Sequence, residues 1–174
     1  MTLLDILAPE RWAELERELH DLSGMNAAVF DAQGRRVTSF VSWANALCPV
    51  IKGHPAGLSA ICACANQVVA AEAARSGQPV VEECDAGLAK IAVPVMVGGA
   101  CLGTVGCCGL LLDNGRPDVE YVARTLGEDP QVVARLAGGL RSLNRRQAEH
   151  LAGCIEARVA EVVRGLEHDS PGEA

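Results

Sequence analysis

Aromatic residues are scarce in this sequence: two Trp, one Tyr and two Phe, 3% of 174 residues. The core must therefore be built from Ala, Val, Leu and Ile. An excess of positive charge is also missing. Fifteen Lys and Arg face 22 Asp and Glu, for a formal charge of -7, so the chain has no electrostatic footprint for a phosphate backbone and no nucleic-acid partner is expected. No stretch approaches the ~20 uncharged apolar residues of a membrane span. The opening "MTLLDILAPERWAELEREL" lacks the basic start, apolar run and small-residue cleavage site of a secretion signal. The expectation is a cytoplasmic protein without a membrane partner.

Several catalytic signatures are absent as well. His20, His54, His150 and His168 are far apart, and no HxxxH or CxxCH occurs, so zinc-protease and attached-haem chemistry have no support. No nucleophile elbow is present to carry Ser-His-Asp chemistry. "GGACLGTVGCCG" matches neither the dinucleotide fingerprint nor the Lys-containing phosphate loop. Its glycines fall inside a strand pattern, where they mark bulges or close backbone approach.

What the chain does have is eight cysteines: Cys48, Cys62, Cys64, Cys84, Cys101, Cys107, Cys108 and Cys154. In a reducing compartment such a set leans toward metal binding or redox work, although a reduced Cys is also a good small core residue. Cys62 and Cys64 form CxC, not the CxxC of dithiol oxidoreductases. Near the first turns of a helix, Cys62 is either a thiol activated by the helix dipole or one packed among alanines. Cys107 and Cys108 are adjacent in a strand and point to opposite faces. Cys101 and Cys154 read as packing residues.

Periodicity gives the elements. Residues 9–22 form a helix with Trp12, Leu15, Leu19 and Leu22 at helical spacing. "NAAVFDAQGRRVTSF", residues 26–40, reads as a hairpin about Asp31 and Gly34. A short helix or turn at 43–51 carries Cys48, and a helix follows from Leu58 to Arg75. "VVEEC", "AKIAVPVMV" and "ACLGTVGCCGLLL" are strands. After helix 117–126, a segment starting near Pro130 runs to about Leu166, divided or kinked at Gly138-Gly139, with Leu136, Leu140, Leu143, Leu151, Ile155, Val159, Val162 and Leu166 on one stripe. The tail "EHDSPGEA" reads as frayed. The plan is α+β: a five-stranded antiparallel sheet flanked by helices, with a long C-terminal helix.

Four segments stand out: "WANALCPVIK", "SAICACANQ", "EECDAGLAKIAVPV" and "GCCGLLL". In order and context they resemble the PocR sensory domain, a PAS-like ligand-binding module, over roughly residues 4–140. The resemblance implies a signal-input unit. Members typically feed DNA-binding or kinase output domains, and the founding type senses a small polyol. No such output domain is legible in this chain, so a stand-alone sensor or adaptor acting on a downstream regulator is expected. It divides into a sensory domain at 1–140 and a signalling or dimerisation helix with its tail at 141–174.

Cys48, Cys62 and Cys84 match the recurrent cysteines of the family, and Cys108 stands where many relatives carry a Gly-Gln pair. The resemblance thus implies a four-thiol site for an iron–sulfur cluster or zinc, or a thiol-lined pocket for a small organic ligand. Trp43, Asn45, Asn66, Asp85 and Lys90 are candidate ligand contacts. Asp85 reads equally as a turn residue, Lys90 as a solvated charge and Trp43 as a cover for the core. The alternative is a thiol-dependent redox enzyme in which Cys62 or Cys84 attacks and Cys64 or Cys108 resolves. The long apolar stripe predicts a homodimer through the C-terminal helix, and the expected input is a small-molecule or redox signal.

Overall fold

In a computed structural model the structure describes residues 1–169, with side chains through Gly165. Two helices open the chain: α1, Leu3–Ile6, and α2, Pro9–Ser23. Trp12, Leu15 and Leu19 are buried on one face of α2, with Trp12 donating its indole N–H to the Leu3 carbonyl at 3.0 Å. Leu22, expected on that stripe, is exposed. Then come β1, Asn26–Asp31, and three helical pieces: α3, Leu47–Gly53; α4, Pro55–Gly57; and α5, Cys64–Ser76. Between α4 and α5, Leu58–Ala63 winds as a π-helix.

Strands β2, Val80–Glu83, β3, Ala89–Val97, and β4, Ala100–Cys108, complete one sheet of order β1-β4-β3-β2, antiparallel throughout. The sheet has four strands rather than the expected five. The second arm of the 26–40 hairpin makes only one bridge, Arg36 to Phe30, because buried Glu16 on α2 draws the chain away from the sheet. Its carboxylate accepts from the Val29 N–H at 2.7 Å, from Arg36 Nη2 at 3.0 Å and from the Thr38 hydroxyl.

The C-terminal segment is divided. It comprises α6, Val119–Leu126, α7, Pro130–Leu136, and a small parallel pair of β5, Leu111–Leu112, with β6, Ser142–Leu143, before α8, Arg145–Asp169. Gly139 has φ +77°, which ends the helical run where the sequence allowed a break. Ala148, Leu151, Ala152, Ile155 and Val159 of α8 are buried in the main core with Val29, Ile91, Val93 and Val105. The stripe expected to meet a twin is therefore spent against the chain's own core as far as Val159, with Val162 partly buried against it. Residues 170–174 of the tail and the Leu166 side chain lie outside the described residues.

By length and composition alone Pro55–Ser76 could cross a membrane, yet it is part of this fold, packing Ile61, Val69 and Ala73 inward.

Candidate functional site

Strand register decides where the site lies. Because side chains alternate, Asn26, Ala28 and Phe30 of β1 share a face with Thr104, Gly106 and Cys108 of β4 and with Lys90 and Ala92 of β3. Pairing aligns them in rows across three strands: Asn26, Cys108, Lys90; then Ala28, Gly106, Ala92; then Phe30, Thr104, Pro94. The middle row contains only small residues, so the face is hollow there. A cavity of about 480 Å3 sits over it, within the usual range for small-ligand pockets.

The roof is α3, the π-helical turn and the start of α5. It stands on its own apolar cluster, in which Leu47, Ile51 and Ile61 pack with Leu88, Val122, Leu126 and Val133. Residues 33–43, drawn off the sheet by Glu16, close one side with Gln33, Arg36, Val41 and Trp43. π-Turns recur at functional sites, and here the turn carries Cys62 on the wall.

Cys48, Cys62, Cys84 and Cys108 all line this one cavity although they come from α3, the π-turn, the loop after β2 and the end of β4. Their fields act on one another: Cys108 and Cys84 both raise Cys48 and Cys62. Burial is the main cause of the shifts, pushing Cys48 to about 12, Cys62 to about 11 and Cys84 upward. Attack by Cys62 or Cys84 requires the opposite shift; of the two resolving partners expected, Cys108 lines the same cavity and Cys64 is exposed on a separate groove. Among the described residues no three His, Cys, Asp or Glu side chains are gathered closely enough to hold a metal ion as they stand.

Amides set the positions of two of these thiols. Asn45 Oδ1 accepts the N–H groups of Leu47 and Cys48 at 2.9 and 2.8 Å. Its Nδ2 donates to the Gly109 carbonyl at 2.6 Å and lies 3.3 Å from Cys48 Sγ. Buried Asn26 places Nδ2 3.7 Å from Cys108 Sγ and accepts the Ala44 N–H at 2.5 Å. Gly109 has φ +105°, and a Cβ there would lie 2.8 Å from Asn26 Nδ2 and 3.2 Å from Asn45 Nδ2. Only glycine lets the two amides meet behind Cys108.

The remaining candidates divide. Trp43 stands half-exposed at the mouth with Lys52 Nζ 5.3 Å from its ring centroid; Trp12, not Trp43, covers the core. Asn66 and Lys90 line the cavity, whereas Asn45 supports it from behind. Asp85 faces away, in the groove that holds Cys64, Glu72 and Arg75. Cys107 is buried in the core on the opposite face, as its parity with Cys108 requires. Sequence reasoning passed over Asn26, Arg36 and Lys52. Lys52 closes the "WANALCPVIK" segment and was within reach, while Asn26 and Arg36 acquire their roles only from register and from Glu16.

Comparison with known proteins fits this geometry. The model of the family described as "Sensory domain found in PocR" matches residues 5–165. The chain belongs to the PocR sensory-domain family. The match runs into α8. The Regulatory protein PocR of Salmonella typhimurium is 26% identical over 109 residues, which is 63% of this chain and 34% of that protein. The chain thus matches about a third of the length of that curated relative. No solved structure matches the chain. The PocR family assignment carries a sensory, regulatory role, and the α+β architecture with its flanking helices and long C-terminal helix is as expected.

Proposed function

We propose that this sensory domain binds a small organic ligand in the cavity over the Ala28–Gly106–Ala92 row and reports occupancy through α8. The observation that carries the reading is convergence: four signature segments, distant in sequence, wall a single cavity on the sheet face that the core leaves free. Both faces of β3 and β4 are in use, one by the cavity and one by α8, so a change in the floor is felt where α8 packs. Such coupling needs a ligand that favours one of two arrangements. A downstream regulator is the natural reader of α8, and a homodimer would form through surfaces other than its buried stripe.

A second reading has one observation in its favour, the four thiols on one wall. Zinc or an iron–sulfur cluster would draw Cys48, Cys62, Cys84 and Cys108 inward and displace their protons. Anaerobic purification followed by an absorption spectrum, metal analysis and a melting curve with and without small organic compounds tests both. A metal-free, folded protein whose melting temperature rises with a compound supports the small-ligand reading. Stoichiometric zinc, or iron with acid-labile sulfide, bound through these cysteines would overturn it in favour of the second.

A further inference from the structure

The chain has 15 cationic residues but only two lysines, Lys52 and Lys90, and both line the cavity. Among the described residues no Asp or Glu lines it, although the chain has 22. A strongly acidic protein has enclosed a space bounded by positive charge alone. The third cation there, Arg36, is already committed to buried Glu16. Neither lysine has an ion-pair partner among the described residues, and each rests instead over an aromatic ring, Lys52 over Trp43 at 5.3 Å and Lys90 over Phe30 at 5.9 Å.

Lys90 lies in the row of Cys108, two rows from Phe30, so its side chain must cross the small-residue floor to reach that ring. The ammonium is thereby carried over the hollow itself. Glu82 is its cross-strand neighbour on β2, but it is exposed at the sheet edge, lines the other groove rather than the cavity, and forms no ion pair with Lys90. Lys52 approaches from α3 in the roof, and the fields of both lysines reach the Cys62 sulfur. Two ammonium groups from opposite walls thus bear on one region. Both ammonium groups are partly buried, and a ring face offers each of them no full counter-charge. Much of the remaining wall is apolar, with Ile51, Ile61, Leu88 and Val41, so a purely inorganic anion would leave it unfilled.

We propose that the cavity takes a small organic carboxylate, its anionic group held between Lys52 and Lys90 and its apolar remainder laid over the Ala28–Gly106–Ala92 floor. The proposal rests on the small-ligand reading above and adds the charge class. The test uses the full chain, shown to be metal-free, with hexanoate and benzoate as probes and hexan-1-ol and benzyl alcohol as neutral counterparts. Calorimetry and Trp43 fluorescence read binding. The carboxylates should bind about tenfold or more tightly than the alcohols. Lys52→Met with Lys90→Met should bring the two classes to parity, and Lys90→Arg should keep most of the preference. If the double variant does not fold, Lys90→Gln in an otherwise unchanged chain carries the comparison and should narrow the gap. Alcohols binding as well as the acids would overturn the charge inference and leave the small-ligand reading intact. Binding of neither class would count against both.

Discussion

The two faces of one sheet have been given opposite tasks by a two-residue alternation. On one side Val29, Ile91, Val93, Val95 and Val105 are all but fully buried beneath α2 and α8. On the other, the same strands present Ala28, Ala92 and Gly106 between the polar row of Asn26, Cys108 and Lys90 and the row of Phe30, Thr104 and Pro94, and the start of the helical roof is held up by a separate cluster around Ile51, Leu88 and Val122. Branched side chains on the first face fill space and fix the fold. Small ones on the second leave volume, because the roof rests on the floor only where Val69 and Ala73 of α5 pack against Ala92. Stability and binding therefore reside in different residues of the same strands, and substitutions can separate them.

The largest effect should come from the packed face. Ile155→Ala removes a fully buried side chain between α8 and the sheet and should cost about 2–5 kcal/mol, read as a lowered urea midpoint. Probe affinity at low temperature should stay near that of the parent. Equal losses of affinity and stability would mean that the faces are not separable. Glu16→Ala comes next. It strands the Val29 N–H and unpairs Arg36, but Arg36 is half-open to water and can rehydrate, so about 1–3 kcal/mol is expected. Because Glu16 also anchors the chain that carries Trp43, this variant should weaken probe binding as well. Glu16→Gln should recover part of both.

The open face should behave in the opposite way. Ala28→Leu places three extra carbons into the hollow without disturbing the packed side. Affinity for any occupant should fall tenfold or more, while the unfolding free energy changes by less than about 1 kcal/mol. A large stability loss with binding preserved would show that the cavity is closed in solution and that ligands sit elsewhere.

The sequence made the elements legible more readily than their neighbours. Strands β2, β3 and β4 and helix α2 follow from periodicity because each carries a strong local pattern. The second arm of the 26–40 hairpin was misread because the competing partner, Glu16, lies far away in sequence on another element. The π-turn at Leu58–Ala63 has no local signature, and its register sets which residues beside Cys62 face inward. Parity explains the uneven success at the site. Cys48, Cys62, Cys84 and Cys108 line one cavity, whereas Asp85, next to Cys84, turns to the other side. Lys52 and Asn26 were overlooked since their meaning depends on what lies across the cavity.

The smallest effect at neutral pH is the one that compares the faces through their thiols. Burial raises Cys48 on the cavity side and Cys107 on the packed side to about 12, and Cys62 to about 11. In the unfolded chain a thiol ionises near pH 8.5. The folded thiols stay protonated above that point, so the unfolded state alone releases protons and gains stability as pH rises. The contribution is fully present below about pH 8.5 and is lost progressively toward pH 11–12. The urea midpoint should be flat between pH 7 and 8 and decline from pH 9 upward. The decisive measurement is a comparison of variants. Cys107→Ala and Cys48→Ala should each make the decline shallower, and similar flattening by both would show that the cavity wall is as dry as the core. A steep decline unchanged in Cys48→Ala, with Cys107→Ala flattened, would show that water enters the cavity freely and keeps its thiols near their ordinary range.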